Sequence, residues 1–375
     1  MKYSIIFPCK DEESTIAICI SKAKKVLPNA EIIVVDNNSK DKSSNIAKRL
    51  GANVIIEKRD GYGAALLKGF NVAKGKYIIM CDADNTYDLL ELSNLIKYTD
   101  TDKYDMIIGN RLNKKMKNGS MPFLHRYIGN PLLSALMRYM FHNQITDTHS
   151  GLRIIKKSSL EKLQLQSAGM EIASEMIIKA SKMNMKIKEV DISYGPRIGE
   201  SKLKSFNDGW KHLKMMLLYS PNHLFLIPGL FLFALGMMIL IIMYSGPVTI
   251  YGWRLETHPA IVGSFLAILG YQIIMLWLYA KTYAVNILEE RNRIIDWIDK
   301  NVNLEKSIII GICLFFVGAI IGIFIVHEWI SSSFGQLFEL RRAIFAMTLL
   351  ILGMETIFSG FMLSILGTKS HVDVK

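Results

Sequence analysis

At about 150 residues per domain, a chain of 375 residues holds two or three structural units. Half of the residues are apolar and 21% are charged, and a mean hydropathy of +0.24 excludes both a disordered chain and an ordinary soluble one, so part of the protein sits in lipid. The formal net charge is +12, yet from Asn222 onward ten basic residues balance ten acidic ones, which leaves the whole excess to residues 1–221 and suits a polyanionic partner such as phosphate, anionic lipid or nucleic acid.

Over residues 1–193, short β-branched runs alternate with helical patterns, the signature of a parallel α/β sheet whose ligand site lies at the carboxyl ends of its strands. The first apolar run, Tyr3 to Phe7, is short and is closed by Pro8 and the charged stretch Lys10 to Glu13, so no signal peptide is expected and this part is expected to stay cytoplasmic. Strands are predicted over 3–7, 31–36, 53–57, 76–81, 106–108 and 186–192, and helices over 15–26, 43–50, 64–73, 90–98 and 172–183. The mostly apolar stretch from Tyr127 to Phe141 is too short and polar to cross a bilayer and suits its surface. Residues 195–220 are basic and interleaved with Trp210, Leu213, Met216, Leu217 and Tyr219, which reads as an amphipathic connection on the membrane surface.

A span needs about 20 apolar residues, and four segments qualify: Leu224 to Tyr244, Pro259 to Ala280, Ser307 to Val326 and Ile344 to Leu366. Only the fourth carries a charge, Glu355, and an intramembrane carboxylate is a functional candidate by default. Gly318 and Gly322 form a G-x-x-x-G, which either lets two helices approach closely or reflects only how common glycine is in membrane helices. Lys281, Arg291, Arg293, Lys300 and Lys306 lie between the second and third spans, against Arg254 alone in the first loop and Arg341 and Arg342 in the last. The middle loop and both termini are therefore expected on the cytoplasmic side. The organisation expected is a cytoplasmic domain over 1–200, an interfacial connection over 201–222, four membrane helices over 223–367 and a cytoplasmic tail over 368–375. The four cysteines show no C-x-x-C spacing, which indicates neither a disulfide framework nor a zinc site.

The strongest local signal is Ile78-Ile79-Met80-Cys81-Asp82-Ala83-Asp84, an apolar strand ending in an Asp-x-Asp pair. Carboxylates at i and i+2 where a strand gives way to a turn can bind a hard divalent cation, Mg2+ or Mn2+, that also grips phosphate oxygens; the competing reading is a turn that caps the next helix. Strands ending Val35-Asp36-Asn37-Asn38-Ser39 and Phe7-Pro8-Cys9-Lys10-Asp11-Glu12-Glu13 bring three acidic strand ends to one sheet edge. The G-x-G-x-x-G and G-x-x-x-x-G-K-[ST] phosphate loops are absent, and Gly61-Tyr62-Gly63 is only a weak helix-entry signal. Residues 110–125 hold Arg111, Lys114, Lys115 and Lys117 without an acidic residue, as suits a lid over phosphates or a solvated loop. Asp147 to Arg153 is rich in turn formers, and Tyr194 to Lys202 places Arg197 and Lys202 in a glycine-broken turn just before the membrane connection.

In order, Pro8 with Glu12 and Glu13, Val35-Asp36, Gly61-Tyr62-Gly63 with Lys68-Gly69, Asp82-Ala83-Asp84, Gly109-Asn110-Arg111, Asp147 with Ser150-Gly151 and Arg153, and Arg197 with Gly199, Ser201 and Lys202 resemble the family-two glycosyltransferases. More narrowly, the set resembles the membrane-anchored polyprenyl-phosphate (dolichyl-phosphate) monosaccharide synthases. The resemblance covers residues 1–221 and implies an α/β GT-A-type nucleotide-sugar-binding domain with a mostly parallel sheet, followed by an all-α four-helix transmembrane region. It implies that Pro8, Glu12, Asp36 and Asp82 hold the donor, that Asp82 and Asp84 hold Mg2+ or Mn2+, and that Asp84 with Arg111, Arg126, Arg197 and Lys202 forms the catalytic set. The partners implied are a nucleotide sugar, a polyprenyl phosphate and the cell membrane, with no nucleic acid; oligomeric state is open, a homo-oligomer included. Lys10-Asp11, Asn37-Asn38 and Thr86 depart from the family's frequent Tyr-Asn, Asp-Gly and Gln, which leaves the base and a third metal ligand open. The competing readings are a processive polysaccharide synthase, a glycolipid synthase in which Asp147 serves as base for a neutral hydroxyl, and a membrane partner subunit without catalysis.

Overall fold

Runs such as Ile5-Ile6-Phe7, Ile32-Ile33-Val34-Val35 and Ile78-Ile79-Met80 have no polar face to turn to water, so each becomes a strand covered on both sides. In the computed structural model, which describes residues 1–117, 119–199, 205–251, 253–288, 304–334 and 339–367, they form the centre of a seven-stranded sheet. Its strands are β1 (Tyr3–Cys9), β2 (Glu31–Asp36), β3 (Asn53–Ile56), β4 (Tyr77–Met80), β5 (Met106–Asn110), β6 (Arg153–Lys156) and β7 (Ile187–Asp191), in the order β3-β2-β1-β4-β6-β5-β7. All pairings are parallel except those of β6, which runs antiparallel to both β4 and β5. Strand β6 lies outside the sequence expectation because its two isoleucines are framed by Arg153 and Lys156, too short a run to show a period.

Alternate side chains of the sheet feed two apolar layers. Ile5, Phe7, Val34 and Ile79 pack with α1 (Ile16–Val26), α2 (Ser43–Arg49) and α4 (Leu92–Ile96). On the other face, Ile6, Ile33, Val35, Ile78 and Met80 pack with α3 (Tyr62–Val72), α5 (Asn130–Phe141), α6 (Lys157–Leu163), α7 (Ile172–Lys182) and α8 (Ser205–Leu218). The helix expected over 90–98 is split into a tight turn, Leu89–Glu91, and the short α4. The apolar stretch 127–141 opens as a wide turn, His125–Gly129, and continues as α5, which buries Met137, Met140 and Phe141 and leaves Leu132 and Tyr139 exposed.

The chain divides into two units, Met1–Tyr219 and Ser220–Lys375. Among its described residues the second holds four helices long and apolar enough to cross a membrane: α9 (Ile227–Tyr244, entered through a wide turn at Asn222–Leu226), α10 (His258–Leu288), α11 (Leu304–Ser331) and α12 (Leu340–Gly367). A small antiparallel pair that the apolar pattern does not announce, β8 (Val248–Ile250) and β9 (Trp253–Leu255), joins the first two. With no hydrophobic drive between helices in lipid, small residues permit the contact. On α9, Gly229 and Gly236 face Gly270, Gly263 and Ala267 of α10, and Gly311 and Gly318 of α11 face Gly353 and Ala346 of α12. The G-x-x-x-G expectation is thereby corrected: Gly318 packs on a backbone, whereas a side chain at Gly322 would meet nothing within 4 Å. Helices α10 and α12 are also tied by polar pairs, Ser264 with Thr348 (2.7 Å), Tyr271 with Thr356 (2.6 Å) and Tyr279 with Ser359 (2.7 Å). Gln272 donates to Glu355 at 2.7 Å, which gives that carboxyl group a partner within the unit. Ser201, Lys202, Arg291, Arg293, Lys300 and the expected tail 368–375 lie outside the described residues.

Gly318→Leu is expected to lower the thermal unfolding midpoint of the detergent-solubilised protein, an overpacking cost of about 1–3 kcal/mol, while Gly322→Leu leaves it unchanged. Equal midpoints for the two variants would contradict the packing.

Candidate active site

The parallel register places the carboxyl ends of β1, β2 and β4 side by side, with Cys9 opposite Asp36 and Ile6 opposite Met80. Pro8, in β1, lies opposite Val35. At the end of β2, Asp36 is 9% exposed, and its carboxylate accepts from the Ser39 amide (2.9 Å) and the Ser44 hydroxyl. The next residue, Asn37, ties this edge to the following loop by donating to the carbonyls of Glu57 (3.0 Å) and Arg59 (2.7 Å) and accepting from the Gly61 amide (2.9 Å). Gly61 has φ +136, and a side chain there or at Gly63 would strike the backbone of residues 167–169, so Gly61-Tyr62-Gly63 is a required close approach between α3 and that loop. Buried Glu175 holds the same loop by accepting from the amides of Gln166 and Ser167.

Beyond β4 the Asp-x-Asp turn is held from several sides. Asp82 accepts from the Tyr62 hydroxyl at 2.7 Å, and Gly151 lies so close that a side-chain carbon would stand 2.5 Å from its carboxylate. Burial and the neighbouring Asp84 push the Asp82 carboxyl up to about 6. One oxygen of Asp84 accepts from the Thr86 hydroxyl (2.6 Å) and amide (3.1 Å), and the other from Arg197 at 2.9 Å. Arg197 also donates to Glu12, so one guanidinium bridges the β1–α1 loop and the Asp-x-Asp turn. The donor set suits a hard divalent cation: two acidic oxygen donors two residues apart, one with its proton affinity raised by the other, a charge conflict that a cation relieves. Among the described residues no third His, Cys, Asp or Glu joins them as a ligand cluster, so the remaining positions would fall to phosphate and water.

The other predicted residues divide. Arg111 does not stand open to a phosphate in this arrangement: its side chain forks onto Asp147 at 2.8 Å twice, its amide reaches the same carboxylate at 2.9 Å, and its guanidinium lies 5.3 Å from the Tyr194 ring. Asp147 is wholly buried with both oxygens engaged, which removes it as a base for a neutral hydroxyl. Arg126 lies over the Tyr127 ring at 5.2 Å, on the segment that exposes Phe123, Leu124, Tyr127, Ile128, Leu132 and Tyr139. Lys202 lies outside the described residues. Lys114, Lys115 and Lys117 are exposed on a loop pinned to Tyr194 through the Lys117 amide (3.0 Å) and the Ser120 hydroxyl (2.9 Å). Sequence reasoning missed Tyr87, the bond from Tyr62 to Asp82 and the anchoring role of Arg153. Tyr87 accepts from the Gly151 amide at 2.6 Å and meets the Tyr194 ring edge-on at 5.2 Å. Fully buried Arg153 donates to the carbonyls of Ser150, Ala173 and Thr148 at 2.8–2.9 Å, which fixes the turn carrying Asp147 and Gly151.

Residues 4–164 match the profile of Glycosyl transferase family 2, and residues 278–367 that of the Glycosyltransferase family 2 C-terminal transmembrane region. A low-salt glycan biosynthesis hexosyltransferase of Haloferax volcanii, Agl6, is 34% identical over 367 residues, covering 97% of this chain and 89% of that protein. A dolichyl-phosphate hexose transferase of the same organism is 27% identical over 208 residues, covering 55% of this chain and 88% of that one. Among solved structures, glucosyl-3-phosphoglycerate synthase from Mycobacterium tuberculosis with Mn2+ and UDP-glucose is similar at TM-score 0.48 and 18% identity, over 58% of this chain and 79% of the other.

Asp147→Ala leaves the buried Arg111 without its counter-charge and is expected to cost about 3–5 kcal/mol, read as an early thermal transition. Glu57→Ala, which removes the partner of the exposed Arg59, is expected to move that transition far less. Similar losses from both variants would mean that Asp147 does not anchor the site.

Proposed function

The chain belongs to glycosyltransferase family 2, and we propose that it transfers one hexose from a GDP- or UDP-hexose to a polyprenyl or dolichyl phosphate at the cytoplasmic face of the cell membrane, inverting the sugar. The observation that carries this reading is the joining of Glu12 and Asp84 by one arginine, with Asp82 two residues from Asp84, at the carboxyl edge of a GT-A-type sheet, in a chain whose described residues also hold four helices long and apolar enough to cross a membrane. The names of the two Haloferax relatives, a hexosyltransferase and a dolichyl-phosphate hexose transferase, support the substrate classes. Residues 1–200 would be the catalytic module, 201–222 the interfacial connection, 223–367 the anchor and 368–375 a cytoplasmic tail. The exposed apolar side chains around Arg126 favour seating against lipid.

Pro8, Glu12, Asp36 and Asp82 are assigned to the donor. The acceptor phosphate, with a second pKa of about 6, is already an anion near neutral pH, so its oxygen needs no general base. That oxygen attacks the anomeric carbon in line as the bond to the donor's β-phosphate breaks, and the electron pair leaves on the nucleoside diphosphate. A bound Mg2+ or Mn2+ supplies charge neutralisation on that leaving group. Asp82 and Asp84 would hold the cation, Arg197, Lys202 and Arg126 would meet phosphates, and Arg111 acts by orienting Tyr194 and the loop it packs on. The glycolipid alternative loses its base, because Asp147 is spent on Arg111.

Purified protein incubated with GDP- and UDP-sugars, Mg2+ or Mn2+ and polyprenyl phosphate should yield one glycosylated lipid phosphate by mass spectrometry, and Asp84→Ala should lower the rate about 100-fold or more. No lipid product from any donor, or full activity in that variant, would overturn the reading. Because a proton and a cation compete for Asp82, whose carboxyl burial and Asp84 push up to about 6, Mn2+ affinity should climb as pH rises from 5 to 7 and level off above. Asp82→Asn should flatten that climb.

A further inference from the structure

Three buried or half-buried arginines stand near the acidic edge, and they are spent differently. Arg153 places Nε and both Nη groups on carbonyls and is sealed from water. Arg111 forks onto one carboxylate beneath Tyr194. Arg197 instead divides its two Nη groups between Glu12 and Asp84, keeps its side chain 24% exposed, and leaves a buried Nε without a partner. It sits on a strap fastened at one end, where the Gly195 amide donates to the Thr86 carbonyl at 2.8 Å. Two residues past Arg197, Gly199 has φ +100, and a side chain there would meet nothing within 4 Å. The strap is therefore fixed upstream of Arg197, while at Gly199 the space around the backbone is open.

The Asp84 oxygen that Arg197 holds is the one left over after Thr86 takes the other. A divalent cation on Asp84 would face the guanidinium across a shared carboxylate, and the two positive groups repel. A diphosphate arriving with the cation brings a replacement anion of the geometry that a guanidinium fork recognises. We infer that Arg197 is an exchangeable counter-ion, which satisfies Glu12 and Asp84 in the free protein and moves to the nucleoside diphosphate when cation and nucleotide enter together. The inference rests on the donor-site reading above and adds to it that the site disfavours a cation arriving alone.

The test is Mn2+ titrated into full-length protein in detergent, followed by calorimetry or the electron paramagnetic resonance of free Mn2+, with and without UDP or GDP. Arg197→Gln should bind Mn2+ alone about 5- to 100-fold more tightly than the unaltered protein, and the gain in Mn2+ affinity on adding nucleotide should shrink by the same factor. Arg197→Lys, a point charge that cannot span both carboxylates, should fall between them. It carries the comparison should Arg197→Gln melt early. Equal or weaker Mn2+ binding in both variants would overturn the counter-ion role while leaving the donor site standing, provided the unaltered protein still binds Mn2+ with nucleotide. Loss of that binding as well would bring down the donor-site reading itself.

Discussion

Like charges gathered at the carboxyl edge of a parallel sheet are the constraint around which the first unit is built. Local sequence pairs Asp82 with Asp84, strand register sets β1 beside β4 so that Glu12 joins them through Arg197, and burial with the neighbouring Asp84 pushes the Asp82 carboxyl up. The surroundings answer with donors of graded permanence. Tyr62 and Thr86 hold one oxygen each of Asp82 and Asp84, and glycine at 151 keeps the space before Asp82 clear. Behind them, Arg153 and the Arg111–Asp147 pair rigidify the turns from which these groups are presented. Breaking such buried pairs costs more than the pairs contribute over an apolar replacement, so their value lies in fixing geometry.

The second unit solves a different problem. Within hydrocarbon every backbone group must be satisfied internally, which helices achieve alone, and association must then come from close backbone approach and side-chain bonds. Glycines at 229, 236, 263 and 270 let α9 and α10 touch, and those at 311, 318 and 353 do the same for α11 and α12. Along α10 the polar partners Ser264, Tyr271 and Tyr279 recur about every two turns, while on α12 Thr356 and Ser359 lie one turn apart. Glu355 belongs to that seam through Gln272.

Which of this was legible in the sequence follows from the range of each interaction. The strands β1, β2 and β4 and all four spans were readable because burial on every side writes uninterrupted apolar runs. Asp82, Asp84, Asp36 and Glu12 could be picked out because they stand where those runs stop. The antiparallel β6 was not readable, since a four-residue strand between two cations has no period and its neighbours β4 and β5 are distant in the chain. The same holds for partner choice. Nothing local says that Arg111 is taken by Asp147, 36 residues on, while Arg197 reaches Asp84 from 113 residues away. Residue type revealed arginines suited to anions; only the fold decided whether the anion was a fixed carboxylate.

The treatment of histidine bears on the chemistry. An acid–base mechanism would want an imidazole poised near neutrality within reach of the acceptor. His149, beside the Asp147–Gly151 turn, and His212 are instead packed against each other, ring centroids 4.4 Å apart, with Ser174 between them. Burial pushes His212 down to about 4 and His149 well below its ordinary range, so both stay neutral and serve to pack α8 onto α7 and the 147–153 turn. Asp147 is likewise spent. These two imidazoles are spent on packing and, on the reading proposed above, Arg197 alone is an exchangeable cation, which agrees with a proposed acceptor that arrives already ionised and needs attraction and alignment instead of a base.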